Sequence, residues 1–340
     1  MKESIFKNNE KNKSKTFQKN DLLNELLSEM KLLLAPIQKQ KQQEFEKNKW
    51  PIGFIVGNPR SGTTLLLQWL ASLEVFSYPT NILTRFAYAP YVGALIQKML
   101  FAPEFDFHED FKDIESGINF KSNLGKSKGA LATNEFQHFF RNYMPNFDPE
   151  YLNDEEIEVV DFVGIKKGLT SIEQGFEKPF VTKAMMLLFN LLTLFNNIPN
   201  SIFIYMKREP IYNMQSIYLS RVKYYNKSDL WWSVKPKEYA FLKDMDVYHQ
   251  IAGQIYFTKK SIENILQKIP DKNYIAIEYK NFCRKPNKIY NELVSKYKAN
   301  GFEITQVYNG ENNFSLNNII KLPKSEIDKF EKAYEHFESQ

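Results

Sequence analysis

A single cysteine, Cys283, stands in a chain of 340 residues, so no intrachain disulfide forms and the fold is held by its core. That usage fits a reducing compartment. The polar setting Asn281-Phe282-Cys283-Arg284 does not mark the thiol as a nucleophile. Long apolar runs are also missing. The greasiest stretch, Ala184 to Phe195, is interrupted by Asn190 and is too short to span a bilayer. The first twenty residues are rich in Lys, Asn and Gln around no apolar centre, so no signal peptide is expected and the expected location is the cytoplasm. Charge of one sign is not in excess. A formal net charge of +5 suits an anionic small ligand and is too small to argue for nucleic acid, which is not expected as a partner. Metal-ligand spacings and internal repeats are absent, and no metal is expected.

What is present favours a large core. Hydrophobic residues make up 43% of the chain, and 28 Phe with 19 Tyr supply bulky packing layers and material for an apolar acceptor pocket. Residues 1–20 read as a disordered polar tail. From Asp21, apolar residues at Leu22, Leu23, Leu26, Leu27, Met30, Leu33 and Leu34 follow helical spacing, and Pro36 is expected to kink or end that helix. Residues 1–48 are therefore read as a tail and an amphipathic arm. The arm packs on the domain, joins two copies into a homo-oligomer, or touches lipid. Residues 49–335 are read as one α/β domain. Strands are expected at 52–56, 180–183, 201–206 and 273–277. Helices are expected at 63–73, 184–196, 210–221, 247–268 and 287–299. Alternation of the two implies a parallel sheet. The interval 77–175 shows no periodic strand and is assigned to helices and loops around the acceptor. Tyr224-Tyr225 and Trp231-Trp232 mark an insert that is ordinary core or lines that pocket.

The most informative segment is Gly57-Asn58-Pro59-Arg60-Ser61-Gly62-Thr63-Thr64. It follows the apolar run from Ile52 to Val56 and precedes Leu65-Leu66-Leu67-Gln68-Trp69-Leu70. Strand, glycine-bounded loop and helix start in that order aim backbone N–H groups at an anion, and the helix adds its positive end. The spacing of Gly57 and Gly62 is that of a phosphate-cradling loop. The lysine that a nucleoside triphosphatase carries after the second glycine is replaced by Thr63, and a cation stands inside the loop instead, at Arg60. Such a loop is ill suited to triphosphate chemistry with magnesium. It suits a single phosphate whose leaving oxygen Arg60 would neutralise.

This loop resembles that of the sulfotransferase family, in which it holds the 5′-phosphosulfate of 3′-phosphoadenosine 5′-phosphosulfate (PAPS). A second stretch extends the resemblance. The β-type run from Ser201 to Met206 leads into Lys207-Arg208-Glu209-Pro210 and a helical segment, with Ser216 eight residues after Arg208. The family's 3′-phosphate motif is an Arg at a strand end, usually in Arg-Asp-Pro, with a Ser eight residues on; here Glu209 replaces the Asp. Arg208 offers a planar fork and Ser216 a hydroxyl. The resemblance implies a three-layer sandwich with a central parallel sheet and helical inserts, the P-loop-NTPase-like sulfotransferase fold. It further implies PAPS as donor and adenosine 3′,5′-bisphosphate as product. The donor is then bound by Arg60, Ser61, Gly62, Thr63, Thr64, Arg208 and Ser216. The acceptor is a small molecule, lipid, sugar or peptide. Phe180-Val181-Thr182-Lys183 resembles a family strand ending in a lysine near the reacting group. Tyr274 to Tyr279 resembles a late family strand that speaks for fold. Lys321 and Lys324 sit where the family often closes a loop over the donor.

Transfer to a hydroxyl needs a proton acceptor. The tyrosylprotein-type branch carries a Glu about twenty residues beyond the loop cation, but here Ser77 to Phe86 holds no Glu, Asp or His, and Asn81 stands near that place. Within Thr133-Asn134-Glu135-Phe136-Gln137-His138, Glu135 is the first candidate, because a carboxylate among aromatics has its pKa raised by desolvation. His138, on the same face if the segment is helical, is the second. Glu74 is a distant third. Two other readings stay open: a kinase or nucleotidase using ATP and magnesium, and a protein of the same fold that binds nucleotide or a partner without turnover.

Overall fold

The computed structural model describes residues 4–45, 47–105 and 117–339. Four parallel strands form one sheet: β1 (Ile52–Gly57), β2 (Val181–Lys183), β3 (Ser201–Lys207) and β4 (Tyr274–Glu278), in the order β2-β1-β3-β4. Near-continuous apolar strands are what a sheet covered on both faces requires. Alternation along each strand then divides the core. Phe54, Val56, Phe203 and Tyr205 face one layer with the helix Phe162–Phe176 and the segment Ala184–Leu194. Ile55, Ile202, Ile204, Ile275 and Ile277 face the other, with the helices Thr63–Ser72 and Pro286–Ala299. The architecture is thus the expected α/β sandwich with a central parallel sheet. Gly53 is needed where β2 pairs closely with β1, since a Cβ there would lie 2.6 Å from Val181 Cγ1.

Register fixes what meets at the carboxyl ends. Ile55 pairs with Lys183, Gly57 with Met206, and Lys207 with Glu278. The phosphate-type loop, Lys183, Arg208 and Tyr279 therefore emerge along one edge of the sheet. A third apolar cluster joins the helices Pro210–Tyr225, Val247–Leu266 and Lys324–Glu338, with Met214, Ile217, Ile251, Ile255 and Phe330 at its centre.

Three expectations change. The helix expected at 184–196 is a 3-10 turn, Met185–Leu187, followed by the helix Leu191–Asn197. Asn190 is the reason: its amide donates to Leu152 O at 2.9 Å and its carbonyl accepts from Leu152 N at 3.2 Å, so the side chain ties down a neighbouring segment. Pro36 does not end the arm, whose helix runs through it from Asp21 to Lys41. Gln38 anchors that last part, buried between Ser171 Oγ at 3.1 Å and Tyr91 N at 2.9 Å. Residues 4–20 are not a disordered tail; they form short helical turns docked on the domain, with Phe17 buried.

Candidate active site

The loop after β1 is built for close approach. Arg60 and Gly62 both adopt left-handed backbone, at φ 67° and 103°. Gly62 precedes the helix Thr63–Ser72, and a Cβ on it would lie 2.6 Å from Tyr279 Cδ2, so only glycine fits against that ring. From the helix Pro210–Tyr225, Asn213 Nδ2 donates to Pro59 O at 3.1 Å and fixes the loop from behind. Ser61 is fully buried, yet its Oγ has no hydrogen-bond partner, as is true of Asn58 Oδ1. An orphaned hydroxyl beside a helix N-terminus is a donor waiting for an oxygen.

The second motif meets the first directly. Arg60 Nε donates to Ser216 Oγ at 2.9 Å, and Arg208 Nη1 donates to Arg60 O at 2.8 Å. Arg208 also donates to Asn318 Oδ1 at 3.0 Å and to Asn317 O, and its guanidinium lies 4.7 Å from the Tyr279 ring centroid. Burial lowers the Arg60 pKa most, and the nearby Arg208 charge lowers it further. Burial likewise lowers that of Arg208. Among the described residues neither guanidinium is paired with a carboxylate. Two arginines drawn together with neutral partners leave positive charge uncompensated by any carboxylate, a setting that suits an anion.

Lys183 joins the loop to the other half of the site. Nearly fully buried, it donates from Nζ to Thr64 Oγ1 at 2.8 Å and to Glu135 Oε1 at 2.9 Å. Glu135 Oε2 accepts from Gln137 Nε2 at 3.0 Å, and Gln137 Oε1 accepts from Arg141 Nη2 at 2.9 Å. The first candidate base thus stands within reach of the loop. Its setting differs from expectation: Glu135 is held by an ammonium and an amide, about one-third exposed, while the aromatics turn the other way. Phe136 is responsible. It takes left-handed backbone at φ 57°, stacks on Phe139 with centroids 4.8 Å apart, and sends its ring into the core. Such a conformation in a bulky residue persists only where packing imposes it.

That same kink separates the two candidate bases. The helix begins only at Gln137, so Glu135 and His138 do not share a helical face. His138 reaches solvent in a recess crowded by protein, and its pKa is pushed down to about 4 by desolvation first, then by Arg141, Arg85 and Lys126. Glu74 is exposed and is not brought to this site. Asn81 is fully used as structure: Nδ2 donates to Ser127 O at 3.0 Å and Gly129 O at 2.9 Å, and Oδ1 accepts from Asn134 Nδ2 at 3.0 Å. Through that last bond the place without a base leads to the residue next to Glu135.

The structure therefore gathers Arg60, Ser61, Gly62, Thr63, Thr64, Lys183, Glu135, Arg208 and Ser216. Lys321 and Lys324 point their side chains to solvent; what reaches Arg208 from that segment is Asn317 and Asn318. Tyr279 and Asn213, which back the loop, are site residues that the motifs did not single out. Asn213 lies between Arg208 and Ser216 in sequence, on the same helix as Ser216, and Tyr279 directly follows a strand, so position alone carried their signal. Among the described residues no cluster of His, Cys, Asp or Glu is arranged to hold a metal ion, and no helix is long and apolar enough to cross a membrane.

Comparison with known proteins adds three findings. A family model described as "Sulfotransferase family" matches residues 51–298. Among solved structures, the chain is similar to sulfotransferase STF9 from Mycobacterium avium, at 13% identity and a TM-score of 0.52 over 89% of this chain and 72% of that one. It is also similar to sulfotransferase STF1 from Mycobacterium tuberculosis H37Rv, at 16% identity and a TM-score of 0.50 over 82% of this chain and 73% of that one. At such identities the likeness is one of fold. No curated protein sequence matches.

Proposed function

The chain belongs to the sulfotransferase family, and from that premise we propose that it transfers a sulfonate group from PAPS to a hydroxyl or amine of an acceptor. Bound PAPS supplies a sulfonate activated by a phosphate leaving group. The residues present suit it. The loop amides of Arg60 and of Gly62 to Thr64 hold the 5′-phosphate together with the orphaned Ser61 hydroxyl, the Ser61 N–H being donated to Asn58 O. Arg60 neutralises charge at the leaving oxygen. Arg208 and Ser216 hold the 3′-phosphate. Lys183, fixed between Thr64 and Glu135, places a cation beside the reacting group. Glu135 accepts the acceptor's proton. His138 is the second candidate, since it is Glu135 that Lys183 ties to Thr64 of the loop. A reducing, cytoplasmic setting fits the lone buried thiol of Cys283. Leu22, Leu26, Leu33 and Ile37, exposed on the arm, favour a homo-oligomer through that helix.

The observation that carries this reading is the junction of Arg60, Ser216 and Arg208, which brings the two phosphate motifs into one site. Isothermal titration with adenosine 3′,5′-bisphosphate tests it. Binding is expected, weakened at least about tenfold by Arg208→Ala, because a charge-assisted hydrogen bond contributes about 1.5–3 kcal/mol. No binding, or binding indifferent to that substitution, would overturn it.

A further inference from the structure

Residues 4–18 are tied to the rest of the protein near both ends of the segment. At one end, Ser4 Oγ donates to Asp148 Oδ1 at 2.6 Å and Ile5 N donates to Asp148 Oδ2 at 2.8 Å. Asp148 is fully buried and is itself held by Lys235 Nζ at 3.1 Å. Next to it, Lys7 Nζ lies 4.7 Å from the Phe147 ring centroid, and the guanidinium of Arg141 lies 3.9 Å from the same centroid. At the other end, Ser14 N donates to Tyr224 O at 2.9 Å, and the Phe17 ring lies 4.7 Å from that of Tyr224. Lys126 Nζ lies 5.2 Å from the Phe17 centroid. Between these ends Lys13 Nζ donates to Glu10 Oε2 at 2.6 Å, and just past the segment Lys19 N donates to Glu10 Oε1 at 2.9 Å.

Two of the docking partners, Arg141 and Lys126, are also neighbours of Glu135. Arg141 reaches it through Gln137. Lys126 follows Gly125, and a Cβ on Gly125 would lie 3.0 Å from Glu135 Oε1 and 3.7 Å from Thr64 Oγ1. Lys126 is near enough to Glu135 on one side, and to Lys13 and Glu10 on the other, for all three to act on its charge. Tyr224 stands in the same way between Glu10 and Arg141. A polar segment without its own core is thus pinned at both ends to side chains that neighbour Glu135.

We propose that residues 4–18 are a wall of the acceptor site, a strap that determines which acceptors reach Glu135. The proposal rests on the reading of Glu135 as the acceptor-side base. A hydroxyl arriving at Glu135 passes between the turn holding Lys126, the helix holding Arg141 and the strap, so Glu10, Lys13 and Phe17 set the width and charge of that passage. The strap also limits water at the site, which a transferable sulfonate requires.

The test uses the full chain and does not depend on the donor. Phe17→Ala combined with Ser14→Pro removes the ring contact and the Ser14 N–H. Ser4→Ala combined with Lys7→Ala loosens the opposite end. Release of the strap is read as faster tryptic cleavage at Lys11 and Lys15. Accessibility of Glu135 is read by carbodiimide coupling to glycine ethyl ester and peptide mass spectrometry, against the exposed Glu177 as internal reference. In the variants whose strap is released, coupling at Glu135 is expected to rise about fivefold or more relative to Glu177, as an opened lid exposes what it covered. A released strap with unchanged coupling at Glu135 would overturn the proposal, as would coupling already as fast as at Glu177 in the unaltered protein. Affinity for adenosine 3′,5′-bisphosphate is expected to stay within about twofold, since no strap residue touches the loop or Arg208. Failure of the unaltered protein to bind the bisphosphate would sink the donor reading, while the coupling ratio would still decide the strap.

Discussion

The proposed donor half and the proposed acceptor half of the site are built by opposite means. Most donor-side groups stand just after a strand, the loop after β1, Arg208 after β3 and Tyr279 after β4, and Ser216 stands on the helix that follows β3. Sheet register places them, so the same sheet that forms the core aligns the anion cradle. The acceptor half hangs on irregular backbone. Glu135 is set by a left-handed phenylalanine, a turn through Leu124 and Gly125 crosses it, and hydrogen bonds from Asn81 hold the surrounding chain. The first arrangement leaves little freedom for variation. The second changes with one loop, which is how a fold keeps one donor while acceptors differ.

The comparison breaks first at Glu135. Replacing it with glutamine is expected to lower turnover about 10²- to 10⁴-fold while bisphosphate affinity stays within about twofold. Equal loss of both would erase the division into halves. Gly62→Ala is the mirror case: its Cβ collides with the Tyr279 ring, so a loss of bisphosphate affinity of about tenfold or more is expected in calorimetry. Asn81→Ala removes three hydrogen bonds that hold the acceptor-side loop. A loss of about 1–3 kcal/mol in urea unfolding is expected, with bisphosphate affinity unchanged.

The smallest effect concerns pH. Glu173 accepts from Lys49 N and Trp50 N and so fixes the chain entering β1; desolvation lifts its pKa from 4.5 to about 7, against the lowering effect of those bonds. The folded protein binds this proton more tightly than the unfolded chain. Its contribution to stability is therefore complete below about pH 4.5 and is lost as pH rises through 7. Unfolding free energies of Glu173→Gln at pH 5 and pH 8 should differ less than those of the unaltered protein. An identical pH dependence would contradict the assignment.

These two modes of construction explain what the sequence made legible. The four strands, the loop and the Arg208–Ser216 pair were readable because strand, turn and helix follow one another locally with fixed spacing. Glu135 was readable as a candidate, but its pairing with Lys183 was not, since 48 residues separate them and only β2 register joins them. The aromatic neighbours misled for a related reason: a single left-handed residue sends Phe136 away from the carboxylate. Docking of residues 4–18 left no periodic signal at all. It depends on single contacts to Asp148 and Tyr224, far along the chain.

The most direct measurement is a crystal structure with adenosine 3′,5′-bisphosphate. The account predicts one nucleotide, its 5′-phosphate on the amides of Arg60 and of Gly62 to Thr64 and its 3′-phosphate on Arg208 and Ser216. A nucleotide bound with either phosphate away from these residues, or seated elsewhere on the protein, would contradict it.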